Sequence, residues 1–214
     1  REPGVGLALS GGGFRATLYM LGSLWRLNEF GWLPKLTRVT SVSGGSITAG
    51  VLGLKWQHLQ FDADGVATNF VQEVVCPIRK FCARNIDISS GIAGLLHLGK
   101  SINSILVGRY NKYLFQNVTL QDLPGDDKGP RFVIYATSLQ SGASVRFSKP
   151  YLADYKVGRI ENPTVPLAFA VGASSAFPPV LSPAVLRVDP KQWKTMEGAF
   201  LFRQKGFKEH LILT

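Results

Sequence analysis

Two short strings in this sequence carry groups that could do chemistry. The first is Ser41-Val42-Ser43-Gly44-Gly45, which ends a β-branched run, Arg38–Val42, and opens a helical pattern running to about Trp56. A serine in a sharp strand-to-helix turn has its hydroxyl thrust out of the sheet, and small neighbours let the turn close and a substrate approach. The helix dipole favours an oxyanion at that point. The same residues also fit a plain serine N-cap followed by a glycine turn. The second string is Ser10-Gly11-Gly12-Gly13-Phe14-Arg15. Successive glycines before a helix free several backbone N–H groups to point at one anion. Beside a nucleophile they form an oxyanion hole. Gly11, Gly13 and Ala16 also fit G-x-G-x-x-A, but a dinucleotide site needs an acid at the end of the second strand, which here ends in Val42-Ser43. No G-K-[ST] follows, so a P-loop is excluded. Arg15 can orient the loop, hold an anion, or simply be solvated.

The elements that must position these strings follow from the pattern. Val5–Ser10 is a short apolar strand. Phe14–Phe30 is helical, with Leu18, Leu21 and Trp25 on one face and Arg15, Arg26 and Glu29 on another, closed by Gly31 and Pro34. Gly13 and Ser43 stand one βαβ unit apart. A right-handed crossover brings both glycine turns to one edge of a parallel sheet, where open α/β sheets build their sites. Val66–Arg84 and Leu98–Leu114 read as helices, the second with Leu98, Ile102, Ile105, Leu106 and Tyr113 as its apolar stripe. With few strand signals nearby, residues 59–121 read as an inserted helical cap. Phe132–Thr137 is a strand with Ser144–Phe147 as its hairpin neighbour, Pro166–Ser175 a helix, and Leu211–Leu213 a last apolar strand.

Composition bounds the function. A chain of 214 residues with 45% hydrophobic and 18% charged residues suits one large α/β domain and excludes a disordered chain. No apolar run approaches the ~18 residues of a membrane span. The chain opens at Arg1 without an apolar leader, and the expected location is cytoplasmic or peripheral to a membrane. The 24 Lys+Arg against 14 Asp+Glu give a net charge of +10, which favours anionic partners. No nucleic-acid recognition motif is present, so the charge is assigned to an anionic membrane surface, with the Leu98–Leu114 face as a lid or interfacial contact, or else buried within the cap. Cys76 and Cys82, six apart on a helix, point in different directions and read as free thiols.

In this order and at this spacing, the two strings resemble the patatin-like phospholipase family, whose pattern is G-G-G-x-R, then G-x-S-x-G, then a distant D-G-[GA]. Gly11, Gly12, Gly13 and Arg15 match the first element, and Ser43 with Gly45 the second, with Ser41 in place of the first glycine. Ala173-Ser174-Ser175-Ala176-Phe177-Pro178-Pro179 is similar to the family's segment before its final strand. The resemblance implies an α/β fold, a three-layer α/β/α sandwich with a mostly parallel central sheet, over a single catalytic domain at 1–214. It implies a Ser–Asp dyad that cleaves fatty-acyl esters of lipids or phospholipids. Ser43 would be the nucleophile, Gly11, Gly12, Gly13 and Arg15 the oxyanion hole and Gly45 part of the elbow, with no metal or cofactor.

No D-G-G or D-G-A occurs in the chain. In the family a strand such as Leu211–Leu213 leads into that motif, so the catalytic Asp is expected just past Thr214. Glu197, in Met196-Glu197-Gly198-Ala199, is the substitute base. Two rivals remain. One is a Ser–His–Asp hydrolase using Ser43, Asp189 and His210, although His210 stands at a strand start. The other is an inactive lipid-binding scaffold of the same fold. His58 and His97 read as ordinary histidines of the helical region.

Overall fold

The computed structural model describes residues 3–84, 102–177, 182–204 and 206–214. β1 (Val5–Leu9) and β2 (Leu36–Ser41) lie parallel, joined by α1 (Gly13–Glu29), and β3 (Arg131–Thr137) continues the sheet in the same direction. Parallel neighbours need crossovers. α1 makes the first, and α2 (Gly44–Lys55) begins the second and packs on α1. The βαβ unit read from the spacing of Gly13 and Ser43 is therefore present.

α1 buries Thr17, Leu21, Leu24 and Asn28, a stripe of helical period. Leu18, expected on the core face, is exposed. The polar residues displace it because each finds partners. Thr17 Oγ1 reaches the Gly44 carbonyl at 2.9 Å, and Asn28 both donates to the Ala67 carbonyl and accepts from its N–H. α2 is buried from Gly44 to Gly53 on all sides, the mark of a helix inside the domain rather than on it.

The rest of the sheet is antiparallel. β4 (Ser144–Phe147) forms the predicted hairpin with β3, followed by β5 (Tyr151–Asp154), β6 (Gly158–Glu161) and β8 (Trp193–Lys194), in the spatial order β1-β2-β3-β4-β5-β6-β8. The fold is α/β of the class the resemblance implies. Its sheet is mixed, and the parallel part is the part that carries the glycine turns. β7 (Ala184–Arg187) and β9 (His210–Leu213) form a separate antiparallel ribbon. Its open end is stitched to the end of β3, where the Thr137 and Thr214 backbones exchange N–H···O bonds of 2.6 and 2.9 Å.

Within 59–121, the described helices pack into the core. α3 (Cys76–Ala83) is entered through a π-helical turn at Val71–Val75, and α4 (Ile102–Tyr110) leaves through another at Asn111–Phe115. Phe70, Val74, Ile78, Phe81, Leu106 and Phe115 are buried in one cluster with Leu24, Ile47 and Phe132. Asn103 donates to the Gly172 carbonyl at 2.9 Å, tying α4 to α5 (Leu167–Ser174). Of the apolar stripe predicted for this helix, Leu106 is buried, Ile102 and Ile105 are half-buried and Tyr113 is exposed; Leu98 and His97 lie outside the described residues. Cys76 and Cys82 are free thiols, and burial pushes that of Cys82 up to about 11. Among the described residues no helix is long and apolar enough to cross a membrane.

Candidate active site

The two glycine turns meet at the C-terminal edge of β1 and β2. Leu9 pairs with Ser41, the Val42 N–H donates to the Leu9 carbonyl at 3.1 Å, and the Gly45 N–H donates to the Ser10 carbonyl at 3.1 Å. The chain can approach this closely only without side chains. A Cβ on Gly45 would stand 2.5 Å from the Leu9 oxygen, and one on Gly44 would stand 2.2 Å from the Gly13 oxygen. Those two residues are glycine because another backbone occupies the space.

Ser43, wedged between the turns, has φ 53° and ψ −121°. Few L-residues adopt a positive φ outside the left-handed helical region, and holding one there costs about 1–3 kcal/mol. Such strain is the mark of a strand-to-helix elbow that aims a hydroxyl outward. An ordinary N-cap serine sits in the β region and caps with its side chain, whereas Ser43 makes no such cap bond. The plain N-cap alternative is thereby corrected.

Gly11 faces this serine directly. A Cβ built on it would lie 3.2 Å from the Ser43 Cβ and 3.9 Å from its Oγ. Gly12 (φ 133°) and Gly13 (φ 63°) turn the chain into α1, and no side chain caps that helix. The first N–H groups of a helix have no intrahelical partner, so the loop presents backbone donors next to Ser43. Arg15 is exposed in the first turn of α1.

Ser43 opens onto a cavity of about 360 Å³, walled by Val42, Tyr135, Ala136, Ser174, Phe177 and Thr214 among others. Val42 and Phe177 are exposed apolar groups at its rim. No carboxylate or imidazole is among the described residues that line it. A larger cavity of about 760 Å³, with Arg38, Asp126 and Arg131 in its wall, lies at the opposite ends of the strands. At ~3.3 Å per residue along β2 it is roughly 15 Å or more from Ser43.

The candidate acids are not brought together with Ser43. Glu197 is exposed on the turn after β8, five strands from β2 in the sheet order, or roughly 24 Å at ~4.8 Å per strand. Asp189 is exposed and caps the short helical turn at Pro190–Gln192 by accepting from the Lys191 N–H. His210 opens β9, at the end away from the cavity, while Thr214 at the other end lines it. Neither the substitute base nor the Ser43–Asp189–His210 triad is assembled.

Sequence reasoning missed a line of serines behind the elbow. The Ser43 N–H donates to Ser174 Oγ at 2.9 Å, Ser174 Oγ bonds Ser46 Oγ at 2.9 Å, and Ser46 Oγ donates to Ser41 Oγ at 3.0 Å. The departure of Ser41 from the glycine pattern was the available signal. Behind Ser174, the Ser175 hydroxyl donates to the Val171 carbonyl and bonds the phenol of Tyr110, which burial pushes up to about 12.

The patatin-like phospholipase family profile matches residues 7–202. The chain belongs to the patatin-like phospholipase family. It is also similar to human GIVD cytosolic phospholipase A2 in complex with a methyl γ-linolenyl fluorophosphonate inhibitor and terbium chloride, at 20% identity and a TM-score of 0.55, over 81% of this chain and 30% of that one. Another structure of human GIVD cytosolic phospholipase A2 matches at 16% identity and a TM-score of 0.51, over 80% and 28%. VipD from Legionella pneumophila matches at 19% identity and 0.46, over 93% and 46%. The present chain thus spans about 30% of the length of the phospholipase chains it matches. A comparison with curated proteins finds no match.

Proposed function

We propose that this chain carries the nucleophile and oxyanion loop of a serine acyl hydrolase acting on fatty-acyl esters of lipids or phospholipids. The observation that carries this reading is the strained elbow at Ser43, its hydroxyl beside Gly11 and at the mouth of an apolar-rimmed cavity.

The chemistry follows from the geometry. Ser43 Oγ attacks the ester carbonyl and gives up its proton to a base. The negative charge that develops on the carbonyl oxygen is met by N–H groups of the Gly11–Gly13 loop, each good donor being worth ~3–4 kcal/mol. The tetrahedral intermediate expels the alcohol, which takes the proton back from the base. Water, deprotonated by the same base, then releases the fatty acid and restores the Ser43 hydroxyl. Each step conserves charge and needs no electron acceptor.

The base in this reading is a carboxylate at the end of β9. Thr214 already lines the cavity, so a residue placed after it would be delivered to Ser43, whereas Glu197, Asp189 and His210 do not line the cavity. The membership of the chain in a phospholipase family supports the lipid substrate, and the net charge of +10 supports contact with an anionic membrane surface.

The test is covalent. The natural full-length protein is treated with a lipid-like fluorophosphonate and digested for mass spectrometry. One adduct on Ser43, lost in Ser43→Ala together with ester hydrolysis, is the expected result. An adduct on another serine, or unchanged hydrolysis in Ser43→Ala, refutes the nucleophile. A folded wild-type protein that neither labels nor hydrolyses any acyl ester leaves the lipid-binding scaffold.

A further inference from the structure

We propose that Ser174 is a positioning residue: through its hydroxyl, fixed from behind by Ser46 and Ser41, it holds the strained backbone of Ser43 in the reactive geometry. This rests on the reading of Ser43 as the nucleophile and adds to it the device that keeps the elbow loaded.

The strain at Ser43 needs an opposing restraint, because a residue with a Cβ relaxes out of φ 53°, ψ −121° unless its surroundings over-determine it. On its C-terminal side the restraint is the helix itself, the Ser46 N–H donating to the Ser43 carbonyl at 2.8 Å. On its N-terminal side it is Ser174, which arrives from α5, 131 residues away in sequence. The Ser174 Oγ accepts the Ser43 N–H at 2.9 Å.

The order of protons in the serine line follows from counting them. A hydroxyl has one proton and two lone pairs. Ser46 uses its proton on Ser41, so the bond between Ser46 and Ser174 takes the proton of Ser174. That leaves a Ser174 lone pair facing the Ser43 N–H. The sequence of donors is Ser43 N–H to Ser174, Ser174 to Ser46, Ser46 to Ser41. Every proton points away from the nucleophile, and each hydroxyl is oriented by the next. Ser174, Ser46 and Ser41 are 6%, 0% and 2% exposed, so a lost member of the line leaves a buried partner unpaired at a cost.

This arrangement has a chemical consequence. The Ser43 N–H is committed to Ser174 and is not an oxyanion donor. Loss of the Ser174 acceptor frees the elbow to relax and moves the Ser43 hydroxyl relative to a bound ester. Misplacement by ~1 Å costs about a hundredfold in rate, with binding of the rest of the substrate intact.

The experiment measures kcat and KM for ester hydrolysis, and the fluorophosphonate labelling rate, in the natural full-length protein and in Ser174→Ala, Ser174→Cys, Ser46→Ala and Ser43→Ala, with thermal melts on each. Ser174→Cys keeps the shape of the side chain, slightly enlarged, and replaces the hydroxyl by a weak acceptor. The expected result is a fall of about tenfold to a hundredfold in kcat and in labelling for both Ser174 variants, with KM within about twofold, and a smaller fall of at least about threefold for Ser46→Ala. Folded Ser174 variants with wild-type kcat and labelling, beside an inactive Ser43→Ala, overturn the positioning role and leave the nucleophile standing. An active Ser43→Ala overturns both. If the Ser174 variants do not fold, Ser46→Ala decides, since an unchanged kcat there shows that the line does not bear on Ser43.

Discussion

Substitution of Gly11 by alanine separates the chemical role of the glycine loop from its role as a turn. The backbone of Gly11 is not in the left-handed region, so alanine fits its conformation without strain, unlike Gly12 at φ 133°. The new methyl meets only one neighbour closely, the Ser43 Cβ at 3.2 Å, with the Val42 oxygen at 3.7 Å and the Ser43 Oγ at 3.9 Å. A contact of 3.2 Å is relieved by a shift of a few tenths of an ångström, and Ser43 is the group that must shift. If ~1 Å of misplacement costs about a hundredfold, a shift of this size costs roughly three- to fivefold in kcat/KM. Stability falls modestly, because a tolerated Gly→Ala gains ~0.4–1 kcal/mol through the unfolded chain while mild overpacking costs about 1–3 kcal/mol. The expected Tm change runs from none to a fall of about 10 °C, at about 2–4 °C per kcal/mol for a chain of this size. The assay is hydrolysis of a short-chain chromogenic ester by the full-length protein, with thermal melts in parallel. Gly45→Ala is the control for the turn itself: its Cβ would meet the Leu9 oxygen at 2.5 Å, backbone against backbone, and it is expected to lose fold and activity together. Wild-type turnover in a folded Gly11→Ala variant refutes the proposed role of this loop beside Ser43.

Four further outcomes follow from the same structure. Thr17→Val keeps the shape but removes the hydroxyl that bonds the Gly44 and Gly13 carbonyls at 2.9 and 3.1 Å, and it is expected to cost about 1–3 kcal/mol, read as a lower urea midpoint. Cys82, with its thiol moved by burial from 9.0 to about 11, is expected to be alkylated by iodoacetamide at pH 8 about a hundredfold more slowly in the native protein than in urea. The sign for stability is also fixed: between pH 9 and about 11 the unfolded chain loses this proton and the native one keeps it, so this thiol makes stability fall as pH rises through that window. Finally, His210→Ala and Glu197→Gln are expected to keep activity within about twofold; a loss near a thousandfold in a folded His210→Ala protein would instead favour a triad.

What the sequence made legible was the part governed by local rules. The two glycine turns, the unit between them and the helix ends follow from residue type and spacing, and β1, α1, β2 and α2 appear at those places within a residue or two. β5, β6, β7 and β8 were not legible, being only two to four residues long, with Gly158, Arg159 and Glu161 filling most of β6. They are strands because neighbouring strands pair with them, a tertiary cause that no window of sequence contains. The misplacement of Leu18 has a similar origin. Hydropathy alone ranks it above Thr17 and Asn28, but the latter two meet carbonyls and an N–H from distant segments, and that offsets the cost of burying them. Glu197 looked eligible as a base only while its distance from Ser43 was unknown; the sheet order sets it five strands away.

Ser41 shows how a departure from a pattern can carry information. The elbow motif asks for a small residue there, because β1 and the start of α2 crowd the end of β2. Glycine would meet that demand at the cost of backbone freedom. Serine meets it as well, and its buried hydroxyl accepts from Ser46, which orients Ser174, which in turn accepts from the Ser43 N–H. The restraint on Ser43 therefore begins two residues before it in sequence, passes through α2 and α5, and returns to it. A strained turn held only by its flanking strand and helix could relax by a peptide rotation. One held from a third element cannot do so without leaving a buried hydroxyl or N–H unpaired. The small residue that replaces the first glycine of the motif thus anchors the restraint on the serine it precedes.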